Sequence, residues 1–271
     1  MTQQKEMSFL AHLEELRWHL VRSVAAIFII AIVLFSIQEY VYNEFLLAHI
    51  KPDFITYRLF CDFFNLFGMD SDFCSVNFAE KKLQSIKVTS QLMNSIWTSF
   101  ILGVIIAFPY ILWEFWKFIS PGLQVNEIKK SKGFIFIASF LFFIGVLFSF
   151  YVIAPISVNF LYNYQITDSI ENSFTLESHI GLITNMLLGV SIMFELPVVV
   201  YFLTKIGLIT PEFLKRYRKH ALVIVLIVAA IITPPDVASQ VIVAIPILIL
   251  YEISIKVSKR VIKRQQKNAK E

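Results

Sequence analysis

Six apolar runs, at about 20–37, 96–113, 133–154, 180–203, 221–232 and 237–251, constrain this chain more than any other feature. A helix crosses the hydrocarbon core of a bilayer with about 20 apolar residues, and the first four runs approach or exceed that length. Composition agrees. Hydrophobic residues make up 57% of the chain and charged residues only 16%, against about a quarter charged in soluble domains. No polar stretch is long enough to bury a core of its own. The sequence therefore predicts a single all-α integral membrane domain over 1–271, with six transmembrane helices, the last two short.

Charge orients the spans. Nineteen of the 24 Lys and Arg fall in the stretch through Arg22, the loops 114–132 and 204–220, and the tail 252–271. Basic segments stay on the cytoplasmic side, so both termini are expected there, 252–271 as a basic cytoplasmic tail and 38–87 as a long external loop. A cleaved signal peptide is the competing reading of the first run. The residues after it, Phe35-Ser36-Ile37-Gln38-Glu39-Tyr40, lack a small-x-small cleavage pattern, which favours a retained anchor.

The fourth run contains Phe194-Glu195-Leu196-Pro197. A carboxylate near mid-membrane costs about 3 kcal/mol on insertion scales and is a functional candidate by default. Pro197 removes a backbone donor and invites a kink in the same turn. Thr184, Ser191 and Glu195 lie at offsets of seven and four, a polar face that predicts an interior or cavity-facing carboxyl. Pairing of Glu195 with Gln91 or Asn94, from the polar stripe that opens the second span, is the structural alternative.

Elsewhere the signals are weaker. Phe9, Leu13, Leu16 and Leu20 form one helical stripe behind Ser8, a candidate N-cap, and Glu15 lies off that stripe. By itself this reads as an interfacial amphipathic helix with a solvated polar face. Trp113, Trp116 and Lys117 suit a headgroup boundary. Glu127 is placed to pair with Lys130 at i,i+3. Cys61 and Cys74 share the external loop, where a disulfide or two thiols are both open. The 12 residues of 221–232 rise about 18 Å as helix, short of a bilayer core of about 30 Å. With Thr233-Pro234-Pro235-Asp236 as a tight outer turn and Ser239-Gln240 just inside it, the last two runs predict a shallow hairpin that leaves a notch on the outer half.

Catalytic motifs are missing from the sequence: there is no His-Glu-x-x-His, no Gly-x-Ser-x-Gly and no phosphate-cradling Gly-rich loop. Glu195 has no second acid at its depth, and the five His do not cluster. No enzyme activity, metal, cofactor or nucleic-acid partner is expected. Two classes remain. A proton- or ion-coupled small-solute transporter would use Glu195 as a relay and carry an internal repeat; the two halves show none. A receptor for other polypeptides would place recognition residues on the cytoplasmic edge, where Glu15 and Glu127 stand.

Four motifs decide between them by resemblance. Phe9-Leu10-x-His12-Leu13-x-Glu15-Leu16-Arg17, Trp116-x-Phe118-x-x-Pro121-Gly122-Leu123, Phe194-Glu195-Leu196-Pro197 and Thr233-Pro234-Pro235-Asp236-x-x-Ser239-Gln240 occur in that order. This resembles the TatC family, the multi-spanning core subunit of the twin-arginine protein translocase, and covers most of the chain outside 38–95. The resemblance implies a multi-pass protein of the bacterial cytoplasmic (inner) membrane and a receptor for twin-arginine signal peptides on folded proteins. It also implies transport driven by the proton-motive force in a multimeric complex with small single-span subunits of TatA/TatB type, among membrane lipids. Family recognition positions match Glu15, Arg17, Phe118 and Glu127. Planar guanidiniums are well held by carboxylates through paired, charge-assisted hydrogen bonds. Glu195, with Ser191 and Pro197, becomes a candidate docking point for a partner's membrane helix, and Pro235, Asp236 and Gln240 mark the outer turn. His19 stands where the family often has a basic residue, and the proline expected near Ala48-His49 is absent.

Overall fold

The computed structural model describes residues 9–66, 83–119, 131–167, 169, 172–233 and 237–268, without side chains at 9–12, 131–132, 237–238 and 268. The elements are helical: α1 Phe9–Ser36, α2 Ile55–Leu66, α3 Ser90–Ile119, α4 Ser131–Phe148, α5 Ala154–Asn163, α6 Leu176–Phe194, α7 Leu196–Lys205, α8 Pro211–Arg216, α9 Arg218–Ile232 and α10 Val237–Asn268. Among the described residues the only strand-like pairing is an isolated bridge between Gln84 and Thr175. Among the described residues five helical stretches are long and apolar enough to cross a membrane: Leu13–Ser36, Ser90–Ile119, Gly133–Asn163, Leu176–Lys205 and Ser239–Lys267.

The expected short final pair is half corrected. α9 has 15 residues, below spanning length, but α10 has 32. The apolar run 237–251 is only the first half of that helix, because no Pro or Gly follows Pro246 to stop it. The basic tail is consequently helical to Asn268 rather than an appendage. Its inner face packs: Ile255 is buried, Thr204 Oγ1 donates to Ser258 Oγ at 2.9 Å, and Gln265 Nε2 donates to the Lys205 carbonyl at 3.0 Å.

The chain divides into two compact units, Met1–Glu39 with Leu92–Phe140, and Tyr40–Gln91 with Leu141–Glu271. In the first, α1 and α3 approach closely at Gly103, where an added Cβ would meet the Ile27 carbonyl at 3.1 Å and Ala31 Cβ at 3.3 Å. Small residues permit such approach between membrane helices, where dispersion rather than the hydrophobic effect holds them together. The apolar stripe of α1 turns outward, with Leu13, Leu16 and Leu20 exposed and the polar His19 buried. The pattern of a water-soluble amphipathic helix is thus inverted, as fits a helix whose surroundings are apolar.

In the second unit α4 and α6 meet at Gly145, where a Cβ would stand 2.8 Å from Ser191 Cα and 3.0 Å from Phe194 Cβ. The end of α4 widens into a π-helical turn, Ser149–Ile153, before α5. Pro155 supplies the reason. It has no N–H for the carbonyl of Tyr151, four residues back. Thr56 Oγ1 donates to that carbonyl at 2.5 Å. His49 Nε2 donates to the Phe150 carbonyl at 2.8 Å, and Tyr57 Oη donates to the carbonyls of His49 at 2.8 Å and Pro155 at 3.2 Å. Three side chains of the segment 49–57 are therefore clipped to carbonyls around the bulge and the proline. The clip borders a cavity of about 910 Å³ lined by Phe54, Phe60, Phe63, Phe150 and Tyr151. Cys61, on α2, carries no free thiol and is disulfide-bonded. Cys74 lies outside the described residues.

Candidate functional site

α1 runs unbroken from Phe9, so Glu15, His19 and Arg22 fall on one face at offsets of four and seven. In isolation Glu15 and His19 would pair along the helix, acid N-terminal to base. The structure does otherwise. His19 Nδ1 donates across to Glu114 Oε2 of α3 at 2.6 Å. Arg22 Nη1 stands 3.8 Å from the same oxygen, and Lys117 Nζ donates to Glu114 Oε1 at 3.3 Å. Glu114 is 1% exposed. A carboxylate so enclosed is tolerable only with its partners in place, and loss of one partner of such a pair costs about 3–5 kcal/mol. Lys117 also lies 3.2 Å from the centroid of the Trp113 ring, a cation–π contact.

Glu15 is half-buried, and its Oε2 is enclosed without a hydrogen-bond partner among the described residues. Arg17 is exposed. Phe118 is half-buried with its ring edge-on to His19, centroids 6.3 Å apart. The structure thus sets Phe118 against His19 of the buried His19–Glu114 pair, with Glu15 one turn earlier on α1. Glu127, Pro121, Gly122 and Leu123 lie outside the described residues.

In the second unit, α6 ends at Phe194 and α7 begins at Leu196, with Pro197 in its first turn. Glu195 occupies the break (φ −75°, ψ −4°), its N–H donating to the Ile192 carbonyl at 3.1 Å. It is 8% exposed, and neither carboxyl oxygen has a hydrogen-bond partner among the described residues. Ser191 Oγ and Thr184 Oγ1 bond back to the Leu187 and Ile180 carbonyls, as hydroxyls inside helices often do. Gln240 Nε2 donates to the Leu226 carbonyl at 3.0 Å, tying α10 to α9. Pro235 and Asp236 lie outside the described residues. No group of three or more His, Cys, Asp or Glu among the described residues is arranged to hold a metal ion.

Sequence reading missed His19–Glu114 and the His49 clip. Glu114 sits between Trp113 and Trp116, in a stretch that otherwise reads only as a membrane boundary. The available signal was its spacing of three from Lys117. Nothing local marks His49, whose partner lies 101 residues away.

Long apolar helices with carboxylates buried between them define a polytopic helical membrane protein. The model of the family "Sec-independent protein translocase protein (TatC)" matches residues 11–246. A relative from Blattabacterium sp. subsp. Periplaneta americana, the Sec-independent protein translocase protein TatC, is 41% identical over 263 residues, 97% of this chain and 99% of its own. The protein of the same name from Carboxydothermus hydrogenoformans is 36% identical over 256 residues, 94% of each chain. A crystal structure described as the twin arginine translocase receptor TatC matches with a TM-score of 0.68 at 31% identity, over 92% of this chain and 99% of that one. The chain belongs to the TatC family and is a Sec-independent protein translocase subunit.

Proposed function

We propose that this chain is the signal-peptide receptor of a twin-arginine translocase, with Glu15 and Glu127 holding the two arginines of the peptide. The observation that carries this reading is Glu15, whose Oε2 is enclosed and has no hydrogen-bond partner among the described residues. An incoming guanidinium would give it a charge-assisted partner. Phe118, edge-on to His19 one turn along α1, offers an apolar contact, and Arg17 is exposed on the same helix. The solved relative described as a receptor supports the same assignment.

On this reading the chain crosses the bacterial inner membrane six times, α9 included, with both termini in the cytoplasm, as its distribution of Lys and Arg favours. It works in a multimer with small single-span subunits of TatA/TatB type and performs no bond-making chemistry. Glu195, flanked by Ser191 and Pro197, offers its carboxyl to a polar group on a partner's membrane helix. The outer turn with Pro235 and Asp236 joins α9 to α10, and Gln240, just inside it, ties the two helices together. Cys61 pairs with Cys74, the only other cysteine, within the external loop.

The test is site-specific crosslinking of a twin-arginine precursor to membranes carrying Glu15→Ala or Glu127→Ala. Each variant is expected to insert normally and lose the crosslink. Undiminished crosslinking in both would remove these glutamates from recognition.

A further inference from the structure

The buried Glu114 has no counterpart among the recognition residues above, and its surroundings are lopsided. Three bases converge on one carboxylate: His19 at 2.6 Å, Lys117 at 3.3 Å and Arg22 at 3.8 Å. Two of the three come from α1, the helix that carries Glu15. His19 stands four residues after Glu15, the spacing and order in which an acid and a base pair best on a helix. That local pair is not made. His19 is turned toward α3, 9% exposed, with the Phe118 ring against its edge, while Glu15 Oε2 is left without a partner among the described residues.

We infer that Glu114 is a positioning residue for recognition: it sequesters His19, and with it Arg22, away from Glu15, so that the Glu15 carboxylate stays available to a guanidinium brought by a partner. Glu114 itself touches no ligand. It is enclosed, already neutralised, and outnumbered by its own cations. Its contribution is to remove an intramolecular competitor. A surface pair of this kind shifts affinity by up to about fivefold, so a competing His19–Glu15 contact would weaken capture by about threefold. This inference rests on Glu15 being a recognition residue.

The experiment measures the affinity of purified, detergent-solubilised full-length protein for a fluorescent twin-arginine signal peptide in five forms: wild type, Glu114→Ala, Glu114→Gln, Glu114→Ala with His19→Gln, and Glu15→Ala. Elution volume on gel filtration reports folding. Glu114→Ala is expected to weaken binding about threefold, Glu114→Gln to weaken it less, and removal of the His19 base to restore it. A role confined to packing would not be rescued by deleting a second residue of the pair. Unweakened binding in a folded Glu114→Ala, or in Glu114→Gln should the alanine variant fail to fold, overturns the inference, and so does weakening that His19→Gln leaves unrepaired. Full binding by Glu15→Ala would instead overturn the recognition reading on which it stands.

Discussion

Gly145 of α4 and Ser191 of α6 touch backbone to backbone: a Cβ on the glycine would stand 2.8 Å from the serine Cα. This contact lies one turn before Glu195 and fixes where the two helices cross. The next nearest atoms are Cβ and Cγ of Phe194, each at 3.0 Å, so an added methyl meets backbone and the root of a ring rather than the free end of a flexible side chain. Gly145→Ala is therefore expected to cost about 1–3 kcal/mol, as overpacking does, and Gly145→Val more. A thermal melt in detergent checks this. An unchanged midpoint for the alanine variant would mean that the helices part without penalty.

The His49 clip makes a pH prediction. Burial lowers its pKa from 6.5 to about 4, outweighing the carbonyl of Phe150, which favours the proton. The unfolded chain takes up a proton near 6.5, and the folded chain does so only near 4. Stability from this group is therefore complete above pH 6.5 and declines as pH falls toward 4, by about 3 kcal/mol in all. Melting midpoints across that window should fall in the wild type and fall less in His49→Gln. Parallel curves for the two proteins would assign the acid sensitivity elsewhere.

Glu195→Gln keeps the hydrogen-bonding shape and removes the charge. Export of a twin-arginine precursor is expected to persist in this variant and to fail in Glu195→Leu, since a docking contact needs polarity rather than a titratable proton. Export lost equally in both would restore the carboxyl to a proton-relay role.

Non-reducing electrophoresis tests the Cys61–Cys74 pair. Wild-type protein isolated with its thiols blocked should migrate faster than reduced protein, and Cys74→Ser should migrate as the reduced form does. Identical mobility throughout would leave Cys61 without its expected partner.

Legibility in the sequence followed the nature of each signal. Apolar length announced the membrane helices, and a lone acid in an apolar run announced Glu195, because both are anomalies against a known background. The break at Pro197 was equally plain, since proline acts on its own helix. Helix α10 was misjudged for the opposite reason. Hydropathy falls at Tyr251 while helix propensity does not, and the burial of Ile255 and Ser258 comes from α7. The His19–Glu114 pair is 95 residues apart in sequence and has no periodic signature. The outward stripe Leu13, Leu16 and Leu20 could be counted but not oriented, because spacing identifies a face without naming its solvent.

The central claim is that this chain reads two adjacent arginines with carboxylates. The most direct measurement is co-purification of the full-length protein with a twin-arginine precursor and with its twin-lysine version, in wild type and in Glu15→Ala. Lysine offers a point charge where arginine offers a planar fork. Wild type is expected to recover the twin-arginine precursor strongly and the twin-lysine form poorly, and Glu15→Ala to lose the difference. Equal recovery of both precursors by the wild type would contradict it.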